Sequence, residues 1–523
     1  MKHNRNHIYL IALLVLTNCF FGQQTIQWTK TIGGTYAEGV YSPNCIEKTS
    51  DNGFIIAAGS LSTNGDVVPI SFGYGDYWII KLDSIGNIIW QKKYGGSQGE
   101  AAMAIKQSIY GGYYVAGYSQ SNDGYINSNR GDFDVWLLKL NSVGDTIWSK
   151  TYGGSSDDRA TAIQETSKGN IIFTGFTYSN NGNVSGNHGD YDYWVAMLDS
   201  TGSMLWQKTY GGAGEDQANS IEKTLEGGYI IAGYTSSNNG NVTNFNGNTD
   251  SWVINIDSIG NLNWQKCFGG SGLDKGYKAI QENDGSFILS SGTNSNDIFI
   301  HDHIGNYDSW LVKMNSLGDT LWTKSFGGTS DDSGLDIQST IDGGYIVGND
   351  SYSNNIMASS NHGLSDYWIY KIDSLGTLQW QNSYGGNSLE WFQALRQTSS
   401  NEYILIGATL STNNGDVGLN HGSNDLFIVK LKNDLVLSTN SKELTNNIKV
   451  FPNPCSEILS IENKNLLESS VKLYNLNSQL IYSSKFNHKT TLNLKDLDAG
   501  IYILEVTNNG LDQKMKVVRI NSR

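Results

Sequence analysis

The sequence holds little proline, little cysteine and few positive charges. Of 523 residues, 4 are proline and 4 are cysteine, and 35 lysines and arginines stand against 50 acidic residues. Beyond a predicted leader the cysteines are Cys45, Cys267 and Cys455, a scattered odd number that favours neither a disulfide framework nor a thiolate metal site. The net charge of −15 disfavours a phosphate backbone or an anionic membrane surface. We therefore expect no nucleic-acid partner.

The sequence also lacks a hydrophobic run long enough to cross a bilayer. The apolar run at residues 8–16 is short, follows Lys2 and Arg5, and precedes small or polar residues from Gly22 onward. This order predicts a secretory signal peptide over residues 1–22 and no transmembrane span. A lipoprotein box ending at Cys19 is a weaker alternative, because Asn18 stands where such a box has a small residue.

Glycine and aromatic residues are abundant, with 60 Gly, 29 Tyr and 14 Trp. This mixture is typical of many short strands joined by tight turns. A W-x-K-x-[YF]-G-G-like phrase then recurs seven times; its first interval is 62 residues and the next five are 58. The phrases begin at Trp28, Trp90, Trp148, Trp206, Trp264, Trp322 and Trp380.

Each repeat predicts four short strands. In the unit from Trp148, these are residues 146–152, 162–166, 171–177 and 193–199, separated by Gly153-Gly154, a tight turn and an Asn/Gly-rich loop. Four antiparallel strands repeated seven times indicate a seven-bladed β-propeller over residues 23–432. The last blade lacks its fourth strand, whereas a surplus Trp28 strand precedes the first blade. We therefore expect the N-terminal strand to close the ring by completing blade seven.

These phrases resemble a family of secreted β-propeller repeats with W-x-K-x-x-G-G and D-x-W-x-x-K-L-D motifs. The resemblance covers roughly residues 25–432 and implies a fold but little chemistry.

After a polar linker at 433–446, residues 447–523 carry a different, alternating pattern. Val450-Phe451-Pro452-Asn453-Pro454, V-x-L-Y at 471–474, L-x-A-G-I-Y at 497–502 and a basic-apolar end at 514–519 resemble the type A sorting domain of the Bacteroidetes type IX secretion system. Residues 477–479 depart from it by lacking a turn glycine. The resemblance implies a small Ig-like β-sandwich that is recognised by the secretion machinery. It also implies a secreted protein that is either released or attached at the outer-membrane surface.

Two sets of seven acids recur in the repeats, and strand alternation places both at the face of the propeller that carries the long loops. The first acid ring, ten residues after each phrase tryptophan, is Glu38, Glu100, Asp158, Asp216, Asp274, Asp332 and Glu390. The second acid ring, two residues before each third-strand aromatic, is Asp76, Asp134, Asp192, Asp250, Asp308, Asp366 and Asp425. These carboxylates either accept backbone N–H bonds and pin the loops or bind Ca²⁺. We expect no other cofactor; the calcium candidates are Asp158, Asp216, Asp274, Asp332, Asp192 and Asp308.

Residues that break the repeat are the better candidates for ligand contacts. Trp391 is off-pattern and is expected, with Phe392, in the loop before the inner strand of blade seven. His301 and His303 in blade five are candidates for a ligand or metal, although a solvated loop is the favoured explanation. Arg130 and Arg159 are candidates for anionic groups.

The tryptophans at fixed repeat positions are expected to pack between blades rather than to stack on sugars. The leading functional hypothesis is a secreted or cell-surface binding module that meets a glycan, a peptide or another envelope protein. A structural or adhesin component without a discrete ligand is the second. A propeller glycosidase is the third, and it is disfavoured because no nucleophile pair can be singled out; we expect no enzyme.

Overall fold

The computed structural model describes residues 24–519 except 302, 356–360, 400–401, 434–447, 452–454, 464–468, 476–478 and 509–510. The predicted signal peptide and almost all of the predicted linker lie outside the described residues. The chain divides into two compact units, Met1–Leu435 and Val436–Arg523. Within the described residues, no helix is long and apolar enough to span a bilayer.

The first unit consists of seven antiparallel sheets, which confirms the propeller prediction. Six have four strands, and the sheet of blade one has five because its inner strand is divided into two short strands. The inner strands line a central channel: β2 Glu38–Gly39 with β3 Ile46–Lys48, β7 Glu100–Gln107, β11 Asp158–Glu165, β15 Asp216–Lys223, β19 Asp274–Gln281, β23 Asp332–Ser339 and β27 Glu390–Ser399. The second strands are β4 Phe54–Ser60, β8 Tyr113–Ser119, β12 Ile171–Thr177, β16 Tyr229–Thr235, β20 Phe287–Thr293, β24 Tyr345–Ser351 and β28 Glu402–Thr409.

The outer half of each blade follows the same order. The third strands are β5 Asp76–Leu82, β9 Asp134–Leu140, β13 Asp192–Leu198, β17 Asp250–Ile256, β21 Asp308–Met314, β25 Asp366–Ile372 and β29 Asp425–Asn433. The fourth strands are β6 Ile88–Tyr94, β10 Thr146–Tyr152, β14 Met204–Tyr210, β18 Leu262–Phe268, β22 Thr320–Phe326, β26 Leu378–Tyr384 and, for blade seven, β1 Gln24–Ile32.

The ring closes as the sequence predicts. Strand β1 pairs antiparallel with β29 from Gln24 opposite Asn433 to Ile32 opposite Leu426. The indole of Trp28 lies against Gly86 in the third-to-fourth turn of blade one, where an added Cβ would meet the ring at 2.9 Å. The N-terminal strand therefore joins the last blade to the first and covers the edge of β29.

Tryptophans of the third strands form the packing between blades. Trp78, Trp136, Trp194, Trp252 and Trp310 are fully buried, and Trp136 shares one apolar cluster with residues of blade one such as Ile55 and Tyr77. Because these positions repeat and are sealed from solvent, their role is packing, as the sequence indicates.

The inner strands begin earlier than predicted. In blade three the sequence predicts a strand from residue 162, but β11 starts at Asp158, with a β-bulge between Ala160 and Ala162. The bulge interrupts the apolar alternation, which is why the first half of the strand resembles a loop in the sequence. The same offset moves Trp391 from a predicted loop onto β27, opposite Ala408.

Antiparallel pairing divides the loops between two faces. The connections between blades and the second-to-third loops, such as residues 178–191, lie at one end of the strands, which we name the long-loop face. The first-to-second and third-to-fourth connections, such as residues 166–170 and 199–203, are short turns at the other end, the tight-turn face.

Blade one differs from the others at the channel. Its inner strand is interrupted by residues 41–44, which we name the channel plug. The side-chain amide of Asn44 donates to the carbonyl oxygens of Thr161 (3.2 Å) in blade three and Asn219 (3.1 Å) in blade four. Ser42 Oγ also donates to Thr161 O at 3.1 Å. The plug therefore crosses the channel and ties blade one to blades that are not its neighbours.

The second unit is a small β-sandwich. One sheet has the order β30-β31-β34 and the other β33-β32-β35-β36. Its strands are β30 Ile448–Phe451, β31 Ile458–Asn463, β32 Ser469–Tyr474, β33 Leu480–Phe486, β34 Lys489–Asn493, β35 Gly500–Asn508 and β36 Leu511–Arg519. Alternate residues such as Leu459, Ile461, Val471 and Leu473 form its core, in agreement with the alternation in the sequence.

Candidate functional site

The first acid ring pins the connections between blades. In all seven blades its carboxylate accepts the N–H of the second glycine of the Gly-Gly pair four residues earlier, at 2.6 to 3.0 Å. Asp158 also accepts from Ser179 Oγ at 2.8 Å and from Thr177 Oγ1. Its oxygens are thus engaged by internal donors, which supports the loop-pinning interpretation.

The second acid ring pins the long loops in the same way. Each aspartate accepts the N–H of the residue four positions earlier, at 2.7 to 3.3 Å. In three blades a histidine ring adds a second bond: the His188 Nδ1 to Asp192 Oδ2 distance is 2.6 Å, and His362 and His421 repeat it at 2.7 and 2.8 Å.

The two rings face each other across the first glycine of each Gly-Gly pair. A Cβ built on Gly153 would lie 2.4 Å from Asp134 Oδ1 and 2.7 Å from Asp158 Oδ2. Asp134 Oδ1, like its counterpart in five other blades, is buried without a hydrogen-bond partner in the described part of the chain. The glycine methylene fills the space beside it, so a side chain at that position would separate the two carboxylates.

Burial and mutual repulsion raise the pKa values of these acids. Desolvation is the larger cause and raises the pKa of Asp250 to about 7, with the negative charge of Asp274 adding to it. Asp134 has a pKa raised to about 6 by the same two causes, burial and the charge of Asp158. Among the described residues, no three His, Cys, Asp or Glu side chains are grouped closely enough to hold a metal ion.

The proposed histidine pair of blade five is divided in the structure. His301 is exposed, whereas the imidazole of His303 is largely buried with its Nε2 3.9 Å from Asp308 Oδ2. Asp302, between them, lies outside the described residues. The backbone N–H that Asp308 accepts in this blade comes from Ile304 at 2.9 Å, and His303 Nε2 has no hydrogen-bond partner among the described residues.

Arg159 lies within a group of aromatic rings, which we name the Arg159 cluster. Its guanidinium forms two bonds of 2.8 Å to Asp157 and lies 4.6 Å from the ring centre of Tyr118 and 4.4 Å from that of Phe133. The Tyr191 hydroxyl donates to the same Asp157 at 3.0 Å. The cluster is half-buried on the long-loop face, so its arginine is already partnered.

The other predicted contacts lie apart from this cluster. Arg130 is exposed, and its guanidinium donates to the side chain of Asn183. Trp391 is half-buried at the start of β27. Phe392 is fully buried and packs edge-on against Tyr367 with ring centres 5.6 Å apart. The expectation that Phe392 is exposed beside Trp391 is wrong, because alternate residues of a strand point to opposite sides and Phe392 points into the blade interface.

Sequence reasoning missed the channel plug. The signal was present in the first phrase interval, which is 62 residues instead of 58. Three of these four extra residues lie between Glu38 and Ile46. These two residues are eight positions apart, whereas their equivalents in blade two, Glu100 and Ile105, are five positions apart. A lengthened inner strand can extend only into the channel, because both faces of the blade are packed.

Comparison with known proteins identifies the C-terminal unit. Residues 449–521 match the family described as the secretion system C-terminal sorting domain. The chain therefore carries a type IX sorting domain and is a protein exported to the cell surface or the medium. The comparison with curated proteins finds no match.

Several solved structures are similar to this chain at low sequence identity. A puromycin hydrolase mutant is 10% identical over 82% of this chain, with a TM-score of 0.43, and this chain spans 58% of its length. The extracellular domain of a hybrid two-component system from B. thetaiotaomicron is 12% identical, with coverages of 91% and 72% and a TM-score of 0.27. A family 32 glycoside hydrolase from Bifidobacterium adolescentis is 6% identical, with coverages of 94% and 96% and a TM-score of 0.27. At these scores none of them assigns an activity to this chain.

Proposed function

We propose that this β-propeller protein, exported by the type IX secretion system, is a non-catalytic binding module whose long-loop face binds a glycan. The supporting observation is the distribution of exposed aromatic rings. Among the described propeller residues, eight aromatic side chains are exposed. Seven belong to the loops of the long-loop face or to the channel plug, namely Tyr36, Tyr41, Phe72, Tyr74, Tyr178, Phe299 and Tyr352. The eighth, Tyr110, lies in a turn of the tight-turn face.

Exposed tyrosines suit this role for physical reasons. A tyrosine gives a flat apolar surface and one hydroxyl while losing little conformational entropy on binding. Tyr74 is 80% exposed and Tyr178 is 50% exposed, so both rings are accessible without rearrangement. Tyr178 adjoins Asn180, whose amide lies in the same exposed loop. Flat rings beside amides offer stacking and hydrogen bonds to an uncharged polymer, in keeping with the acidity of the chain.

The arginines favour binding over glycoside hydrolysis. Arg130 donates to Asn183, Arg159 pairs with Asp157, and the third propeller arginine, Arg396, contacts Asp336 at 2.8 Å. The three arginines lie in three different blades, and each is engaged by a different acceptor. Such an arrangement does not offer a common site for a substrate carboxylate.

The test compares two variants on glycan arrays and on isolated surface polysaccharide. The triple variant Tyr36→Ala, Tyr74→Ala, Tyr178→Ala should lose binding at least tenfold, whereas Tyr110→Ala, an equally exposed ring on the other face, should bind like the native protein. Absence of binding to every glycan, with assembly of the protein into the cell surface, would favour the structural or adhesin role. Hydrolysis of sialosides that disappears in an Arg159→Ala variant would instead identify an enzyme.

A further inference from the structure

The second candidate site lies at the opposite end of the channel. A cavity of about 320 Å³, which we name the channel pocket, is lined by residues from all seven blades. Its wall includes the last residues of inner strands, such as Lys48, Lys106 and Glu222. Asn44 of the channel plug is also part of the wall, so the plug closes the pocket toward the long-loop face. Solvent reaches it from the tight-turn face.

Positive charge is concentrated in this pocket. Its wall has four cations, Lys48, Lys106, Lys278 and Arg396, and the two acids Glu47 and Glu222. Glu47 pairs with Lys106 at 2.6 Å, and Asp336 behind the wall is a third acid, so the cations outnumber the acids by one. An adjoining cavity shares Glu222 and Lys278 and adds Lys223. Burial and the charge of Lys106 lower the pKa of Lys223. A cationic pocket in a chain of net charge −15 is a local reversal of sign, and it attracts anions.

One buried aspartate serves two of these cations. Asp336 contacts Lys278 Nζ at 2.9 Å and an Arg396 nitrogen at 2.8 Å, and it also accepts the N–H of Leu395 at 2.9 Å. The Asp336 side chain is fully buried, and that of Lys278 is 3% exposed. A single carboxylate therefore holds two cations in place at the wall of the pocket, and Glu222 Oε1, 3.8 Å from Lys278 Nζ, is the second acid beside them.

The repeat shows that these charges are not needed for the fold. Lys278 and Asp336 occupy equivalent positions in blades five and six, 58 residues apart. The same position in the other 58-residue units holds a small residue, namely Ala104, Ala162, Ser220 and Ala394. Removing charges from water costs several kcal/mol per ion, and a well-packed apolar residue is often as stable. Because small residues serve the fold in four blades, the two charges in blades five and six have another use.

Hydrogen-bond donors at the pocket also lack acceptors. Gln397 Nε2 is buried with no partner in the described structure. Arg396 donates to Asp336, to the carbonyl of its neighbour Leu395 and to the carbonyl of Pro43 in the plug, which uses three of its five N–H groups. Buried donors are usually satisfied, and an anion in the pocket would accept from both side chains.

We infer that the channel pocket binds a small organic anion through a carboxylate or phosphate group. Lys106, Lys278 and Arg396 supply positive charge, and Gln397 supplies an amide donor. This site is independent of the glycan-binding face, because the channel plug separates the two ends of the channel.

The inference is tested by titration calorimetry of the mature chain, at low ionic strength, with succinate, glucuronate and inorganic phosphate as probes. We expect at least one probe to bind, and its affinity to fall as salt is added. Lys106→Gln should weaken binding at least fivefold. Lys106 pairs with Glu47 at 2.6 Å, and the two side chains are 31% and 20% exposed, so the variant should fold normally because Glu47 stays in contact with solvent. The double variant Lys278→Ala, Asp336→Ala places at both positions the alanine that blades two, three and seven have there. It should weaken binding tenfold or more. Lys208→Gln, which removes an exposed lysine of β14, is the matched control and should bind like the native protein.

Two results would overturn the inference. One is the absence of heat with all three probes up to about 10 mM, a concentration that detects even weak complexes. The other is equal binding by the native protein and the Lys106→Gln variant. If the double variant does not fold, Lys106→Gln alone decides the outcome. Failure of glycan binding in the tyrosine variants would leave the anion titration unchanged, so the two proposals are tested separately.

Discussion

Replacing Asp158 separates the two interpretations of the first acid ring. Alanine at this position removes the acceptor of the Gly154 N–H (2.7 Å), the Ser179 hydroxyl (2.8 Å) and the Thr177 hydroxyl. A buried donor left without a partner costs about 1 to 3 kcal/mol. The hydroxyls can rotate toward other acceptors, whereas the Gly154 N–H cannot, so we expect Asp158→Ala to lower the free energy of unfolding by about 3 to 5 kcal/mol.

Asparagine at the same position should cost about 1 kcal/mol. Its carbonyl can accept from Gly154 while its amide donates to the Thr177 hydroxyl, and it avoids burying a charge. Desolvation raises the pKa of Asp158, so the ionised form is itself costly. Asp132→Ala, at an exposed acid of a neighbouring loop, is the control and should change little.

The assay is urea unfolding followed by tryptophan fluorescence, with and without a calcium chelator. If the acid pins a loop, the chelator shifts no midpoint, and alanine is far more damaging than asparagine. The reasoning is refuted if the chelator destabilises the native protein and Asp158→Asn is as damaging as Asp158→Ala, because a calcium site needs the charge.

Three further predictions concern stability. Gly153→Ala should lower the free energy of unfolding by about 2 to 4 kcal/mol, because its Cβ would overlap two carboxylates. Gly227→Ala, at a glycine with a φ of +84° and open space around it, should lower it by only about 1 kcal/mol. The midpoints of urea unfolding measure this difference. Trp28→Ala should lower the melting temperature more than Trp206→Ala, because loss of Trp28 also releases the closing strand; equal shifts would contradict ring closure by β1. The pKa of Asp250 is raised from 3.8 to about 7. The folded state therefore binds this proton more tightly than the unfolded state does, and the stabilisation that the bound proton provides is lost as the pH rises through 7. Native stability should therefore decrease between about pH 4 and about pH 7, and Asp250→Asn should flatten that decrease.

Much of the fold could be predicted because its signals are local and repeated. Strand β10 begins and ends at the predicted residues, 146 and 152, because its Trp phrase and Gly-Gly turn bound it clearly. The start of β11 could not be predicted, because the bulge at residue 161 interrupts the alternation of apolar and polar residues by which a strand is recognised. Phe392 was misplaced for the same reason, since it lies in the equivalent part of β27.

The candidate sites depended more on contacts between distant residues. The acids were found in the sequence by their sevenfold recurrence, a pattern that favours a pinned loop over a metal site. The hydrogen bonds that support the pinned loop are visible only in the structure, since a donor such as the Ser179 hydroxyl lies 21 residues away in the chain. The channel pocket was not predicted at all, since its wall collects a few residues from each of seven blades.

By itself the sequence determined the number of blades, the closing strand and the sorting domain. Each of these features can be recognised from a short sequence pattern or a fixed spacing, together with the hydrophobic periodicity of the strands. The tertiary structure alone decided which charges meet in the channel. Lys278, Asp336 and Arg396 come from three blades, and no local pattern encodes their contact; only closure of the ring brings the inner strands together around one axis.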